Sequence, residues 1–158
     1  MKNGNLIKGN KGIAILSILG GVTFFYLVAR EYLNSDYDNV KAGVAFLLLI
    51  FSCFQIIGGI LTYRNELPGF KVLIGCYVVQ ICAFSIGVFS YMISTGPILF
   101  VKYDFVESKL AADVGLFQVA YHLDFSGQYD YFSVNLTTVT IILILIKESK
   151  KIRRKESN

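Results

Sequence analysis

The single histidine of the chain, His122, stands two residues before Asp124 in the stretch FQVAYHLDF, Phe117 to Phe125. An imidazole beside a carboxylate can share a proton or supply two ligands to a metal ion. Neither chemistry is completed here. The chain has no second histidine, and no cysteine or obvious nucleophile lies near the pair. In a strand, residues two apart share a face, so Gln118, His122 and Asp124 are expected together on a wet face, as surface groups. The three cysteines, Cys53, Cys76 and Cys82, show no C-x-x-C spacing. On a helix, Cys76 and Cys82 would point about 240° apart, so they are expected to be apolar fillers and not a redox pair. A glycine-rich phosphate loop, H-E-x-x-H and G-x-S-x-G are all absent. The expectation is a protein without enzymatic activity, cofactor or metal.

The remaining polar side chains of interest sit inside apolar runs. Gln55, with Ala45, Ser52, Gly59 and Thr62, forms a helical stripe, and Gln80 forms another with Cys76, Ala83 and Gly87. An amide without a partner in hydrocarbon costs several kcal/mol. Gln55 and Gln80 are therefore expected to hydrogen-bond across a helix pair, with Asn135 and Thr138 facing the same bundle. Ser17, Gly21, Gly59, Ala83 and Gly87 are expected to be the small residues that let helices approach closely.

The elements that would hold these residues follow from hydropathy. The 158 residues are 54% hydrophobic and 16% charged, and the mean hydropathy is +0.58. Crossing the ~30 Å hydrocarbon layer takes roughly 20 apolar residues. Uncharged runs at Ile13–Ala29, Ala42–Tyr63 and Val72–Ile93, with a shorter one at Val134–Ile146 extended back to Tyr129, predict helices at about 12–33, 42–63, 71–93 and 131–147. The predicted fold is an all-α, multi-pass four-helix membrane bundle forming a single domain. A cleavable signal is the lesser reading of the first run, because Leu27 and Ala29 make a poor cleavage site.

Charge sets the expected orientation. With the N-terminus inside, the inner segments hold Lys2, Lys8, Lys11, Arg64, Lys71, Lys147, Lys150, Lys151, Arg153, Arg154 and Lys155, and the outer ones only Arg30, Lys41, Lys102 and Lys109. Basic residues stay on the cytoplasmic side during insertion. Both termini are therefore expected in the cytoplasm, in a bacterial inner membrane. In the tail 147–158, Lys150, Lys151, Arg153, Arg154 and Lys155 could hold lipid headgroups, although the same charges also serve simply to stop transfer. No aromatic residues are interleaved with them, so nucleic acid is not expected as a partner.

Between the third and fourth predicted helices, residues 94–130 contain two alternating runs, ILFVKYDFV and LFQVAYHLDF, joined by ESKLAADVG. They predict a small extracytoplasmic β-hairpin cap. One short and one long outer loop around four helices resembles the tetraspanin layout. The long loop lacks any cysteine, however, and so lacks that family's Cys-Cys-Gly pattern, and nothing follows from the resemblance. The function expected is a non-enzymatic interaction or accessory subunit. Its cap would bind another membrane protein or a second copy, making a homo-oligomer. The alternative is an oligomeric pore or membrane-perturbing effector or immunity protein with a polar path lined by glutamine and hydroxyl side chains.

Overall fold

A computed structural model describes the backbone of residues 4–34, 39–86, 89–124 and 130–156, and the side chains of 10–34, 41–86, 90–115 and 130–154. The chain divides into two compact units, one of Met1–Cys76 with Leu145–Asn158 and one of Tyr77–Ile144.

The first unit is built on α1 (Gly4–Asn34) and α2 (Asn39–Tyr63). They pack antiparallel, because contacts that climb α1 descend α2. Lys11 lies over the Tyr63 ring at 5.1 Å, and Phe24 meets Phe51 edge to face at 5.9 Å. Glycine makes the close approach possible. A Cβ on Gly21 would come 2.8 Å from Ile56 Cγ1, and one on Gly59 would come 2.7 Å from Ile18 Cγ1 and 3.0 Å from the Ala14 carbonyl oxygen. Ser17 and Ser52 donate their hydroxyls to the carbonyls of Ile13 and Leu48, both at 2.7 Å. That satisfies each group within its own helix, where no water is needed.

The helix α2 ends in a Schellman motif. Asn65 adopts φ 61°, its N–H bonds to the Thr62 carbonyl, and the Glu66 N–H reaches back to Leu61; asparagine tolerates this left-handed position better than most residues. The following α3 (Leu67–Val79) has only 13 residues, about 20 Å of helix. Among the described residues, two helices are long and apolar enough to cross a membrane, over Asn10–Asn34 and Lys41–Tyr63.

The second unit carries an antiparallel sheet of β1 (Cys82–Ile86), β2 (Phe89–Asp104), β3 (Lys109–Asp124) and β4 (Tyr131–Asn135), in the order β1-β4-β2-β3. The strand β1 also pairs with the start of β2, while β4 pairs with its end. β1, β2 and β4 therefore close a ring. The ring requires β2 to bend, and it does so where Gly96 takes φ 141° and the β2–β3 register shifts between Gly96 and Ile98. Pro97, which has no N–H to give, stands at that shift. Cross-strand partners share a face, so Ala83, Ser85, Ser90, Phe100, Ser133 and Asn135 all turn to one side, and all are buried. Small side chains fit the crowded inside of a tight ring. The chain then continues into α4 (Leu136–Glu156).

The four-helix membrane bundle expected from hydropathy is thus incorrect. The third predicted helix, 71–93, is a short helix followed by β1 and the start of β2. The run is rich in β-branched and aromatic residues, which favour the pleated surface of a sheet. The fourth, 131–147, begins as strand β4, and α4 is apolar only from Leu136 to Ile146 before Lys147, too short to cross. The cap is not an isolated hairpin of 94–130 but one part of a four-stranded sheet that begins at Cys82. Its joint is tighter than the sequence suggests. Only Phe105–Ser108 form the turn, where Asp104 Oδ1 accepts from the N–H groups of Val106 and Glu107 at 3.0 and 3.1 Å, and Lys109 already pairs with Asp104.

Candidate functional site

Gln80 stands just past the end of α3. Its N–H bonds to the Tyr77 carbonyl, and its side-chain Oε1 accepts from both the Thr95 N–H and the Thr95 hydroxyl at 2.9 Å. Gln80 and Thr95 are each 1% exposed. The amide anticipated as a contact between two membrane helices is therefore part of the join between α3 and β2. The expected helical stripe Cys76–Gln80–Ala83–Gly87 does not exist as such, because the helix stops before Gln80. Ala83 lies in β1, where its carbonyl accepts the Ser133 hydroxyl at 3.0 Å. Gly87 lies outside the described residues. Gln55 is fully buried in α2, between Ser52 and Gly59 along the helix. Gly21 and Gly59 sit at the α1–α2 contact, and Ser17 is buried beside them.

Asn135 closes β4 and opens α4. Its Oδ1 accepts from the Thr138 N–H, the arrangement of a helix N-cap, and from the Leu99 N–H of β2, both at 3.3 Å. Its own N–H bonds to the Ile81 carbonyl at 2.7 Å. The Asn135 side chain thus ties β2 to the start of α4, and its backbone N–H ties both to the α3–β1 link.

The expected wet-face residues fall in β3, with Gln118 opposite Gly96, His122 opposite Met92 and Asp124 opposite Ser90. Their side chains lie outside the described residues. Among the described residues, no three of His, Cys, Asp and Glu gather where a metal could bind. The three cysteines form no disulfide with one another, and Cys53 is exposed, Cys76 buried and Cys82 between. Burial pushes the Cys76 thiol up to about 11, which keeps it from being a nucleophilic thiolate near neutrality. Burial, with a further contribution from Cys82, pushes the Tyr91 phenol up to about 12, and its O–H donates to the Val79 carbonyl at 2.6 Å. Burial also raises Tyr131, while Lys102 lies 4.2 Å above its ring. These shifts all move away from reactive forms.

What remains distinctive is the end of the β2–β3 arm. β3 is the last strand of the sheet, and Lys109 to Val114 are all exposed. Leu110 and Val114 are 74% and 71% exposed, and Val106 at the turn is 73% exposed. Beside them Phe105 stacks edge to face on Tyr103 at 5.3 Å. Sequence reading passed over Lys109–Gly115 as a polar connection, although Leu110, Ala112 and Val114 carry a two-residue period.

A second site was also missed. Glu148 of α4 is 8% exposed, accepts from Asn10 Nδ2 of α1 at 3.4 Å and pairs with Lys151. Lys150, Arg153 and Arg154 are exposed nearby on α4, Lys151 is half-buried, and the Lys155 side chain lies outside the described residues.

No protein-family profile, curated protein or solved structure matches the chain. The site geometry alone therefore supports a functional reading.

Proposed function

We propose that this chain is a non-enzymatic membrane interaction protein, anchored by α1 and α2, that assembles with a second copy through the free edge of β3. The anchor is supported by apolar surface. Over the apolar 18-residue stretch of each candidate span only 39% and 33% is buried within the chain, leaving Leu19, Val22, Tyr26, Phe46, Leu47 and Phe54 open. Hydrocarbon covers such faces at no cost, whereas water does not. At 1.5 Å per residue these spans run about 37 and 35 Å, enough for the ~30 Å layer with some tilt.

Lys2 and Lys8 precede the first span, Lys11 stands at its start and Arg64 and Lys71 follow the second, while the connecting side carries Arg30 and Lys41 with Asp36 and Asp38. This bias places the N-terminus in the cytoplasm. With two crossings, the chain from Arg64 onward returns to that compartment. The proposed membrane is a bacterial inner membrane, the reading that the high Lys, Asn and Ile content favours.

The single observation that carries the assembly reading is the exposed end of β3. Unpaired strand edges recruit further strands, and apolar ones do so strongly. The occupant is argued from charge. An antiparallel pairing of two β3 strands about a two-fold axis at Ala111 sets Lys109 opposite Asp113 of the second copy, twice, and Leu110 opposite Ala112. Opposite-charge and apolar cross-strand pairs contribute roughly 0.2–1 kcal/mol each. The pore alternative draws less support, because Gln80 engages Thr95 in the sheet-bearing unit and does not lie on a candidate span.

The test is Ala111→Cys in isolated membranes with a short bismaleimide. A dimer is expected, and Leu110→Lys with Val114→Lys should abolish it. A monomer by sedimentation in mild detergent, with no crosslink at Ala111→Cys, refutes assembly. Dye leak from liposomes that Gln55→Leu abolishes would instead favour the pore.

A further inference from the structure

We propose that the last turns of α4 form a binding surface for anionic phospholipid headgroups, held at the inner face of the bilayer by the Asn10–Glu148 contact. The inference rests on α1 and α2 crossing the membrane and is independent of how β3 pairs. A basic tail alone establishes little, since it can simply halt transfer. Three observations within the first unit add the missing position.

The first is height. The uncharged apolar run of α1 begins at Ile13, just past Lys11 and about one helical turn after Asn10, so Asn10 lies within about one turn of the level at which α1 enters hydrocarbon. Glu148 touches Asn10 at 3.4 Å, so α4 passes the bilayer surface at that residue. The second is orientation. Leu145, Glu148 and Ile152 follow helical spacing and are buried or half-buried, while Lys147, Lys150, Arg153 and Arg154 are exposed. At about 100° per residue, these four cations cluster on the side of α4 opposite the buried stripe. Glu148 turns inward toward Asn10 and Lys151, so its carboxylate faces away from the cationic side.

The third is company. Lys11 stands over the ring of Tyr63, the last residue of α2, and Arg64 follows it, exposed. The start of the first span, the end of the second and the α4 tail thus present cations at one level. Phosphate diesters lie at that depth on an anionic leaflet, and each basic residue near such a surface adds to the attraction. A membrane is favoured over RNA because the level of the cations is fixed by the apolar helices beside them.

The experiment uses the full-length protein in phosphatidylcholine vesicles, with trace spin-labelled phosphatidylglycerol or spin-labelled phosphatidylcholine. The motionally restricted fraction of each probe gives their relative association. We expect phosphatidylglycerol to be preferred by about fivefold or more, and the preference to fall toward one in high salt. It should fall likewise in Lys147→Gln/Lys150→Gln/Arg153→Gln/Arg154→Gln, while the matching Lys→Arg changes at 147 and 150 retain it. Asn10→Ala with Glu148→Ala, which keeps every cation but releases the tail, should lower it at least twofold. An equal preference in wild type and the quadruple Gln variant overturns the proposal, as does tighter binding of a short RNA oligonucleotide than of phosphatidylglycerol. Resistance of the wild type to alkaline carbonate extraction is read separately. Its loss would count against the membrane anchor itself, whereas retained insertion without lipid preference counts only against the headgroup surface.

Discussion

Gln80→Leu separates the observed fold from the all-helical alternative by the sign of its effect. Were Gln80 a polar residue in a lipid-embedded helix, leucine would relieve a desolvation penalty, and stability would hold or rise. In the structure the Gln80 Oε1 serves two donors of Thr95, its N–H and its hydroxyl, both at 2.9 Å, with both residues 1% exposed. Leucine has nearly the volume of glutamine but no acceptor. Removing the acceptor for a buried donor costs ~1–3 kcal/mol, so two give about 2–6 kcal/mol. At ~2–4 °C per kcal/mol for a chain of this size, the midpoint should drop by about 4–24 °C. Thermal unfolding followed by circular dichroism in mild detergent measures it. Thr95→Val removes only the hydroxyl and should cost less, about 1 kcal/mol. The double variant should fall short of the sum, because the two changes remove one shared contact. An unchanged or raised midpoint for Gln80→Leu would refute the placement of Gln80 against β2.

Gly59→Leu should separate α1 from α2, because the new side chain would start 2.7 Å from Ile18 and 3.0 Å from the Ala14 carbonyl. Overpacking of this kind typically costs 1–3 kcal/mol, read as a lowered unfolding midpoint, while Gly43→Ala, where nothing lies within 4 Å, should have little effect. The Cys76 thiol, raised by burial from 9.0 to about 11, holds its proton more tightly folded than unfolded. Its contribution is therefore complete below pH 9 and is lost as pH rises toward 11; Cys76→Ala should flatten that alkaline decline in a pH series of midpoints. Ser108→Cys at the exposed turn should react with an impermeant maleimide in inside-out vesicles and not in intact cells.

Much of the helical hairpin is legible in the residues, and the sheet is less so, for a physical reason. The runs around Ile13–Ala29 and Ala42–Tyr63 are apolar over enough residues that length and hydropathy agree. The alternation of Leu99, Val101 and Tyr103 with Lys102 and Asp104 is equally plain, since the two faces differ in charge, and these residues lie in β2. Cys82 to Ile86 alternate just as strictly, with Cys82, Phe84 and Ile86 on one face of β1 and Ala83 and Ser85 on the other. There the faces differ in size and not in charge, because the small side faces the inside of the ring. A hydropathy window does not register that difference. Asn135 was singled out for its amide, but its role as a cap depended on knowing that β4 ends there and α4 begins. The Glu148–Asn10 contact joins residues 138 apart, and no local pattern points to such a pair.

The proposed two crossings, in place of the four expected from hydropathy, leave one consequence of charge intact and reverse another. Both numbers are even, so Lys2 to Lys11 and the α4 tail share a compartment either way. The Asn10–Glu148 contact independently requires the same, since one hydrogen bond cannot span a bilayer. A tag at Asn158 is therefore blind to the difference. The loop at Phe105–Ser108 is not, because four crossings put it outside and two put it in the cytoplasm with the tail. Charge near the strands also loses its weight as a topological signal once they are no longer flanked by spans. Lys102 and Lys109 then read as members of local pairs, Lys102 with Asp104 at 3.8 Å, half-buried, and Lys109 with Glu107 at 3.0 Å, exposed and of little energetic weight. The orientation then rests on Lys11, Arg64 and the residues beside them. Lys11 and Arg64 stand together because Lys11 lies over the ring of Tyr63, the residue before Arg64.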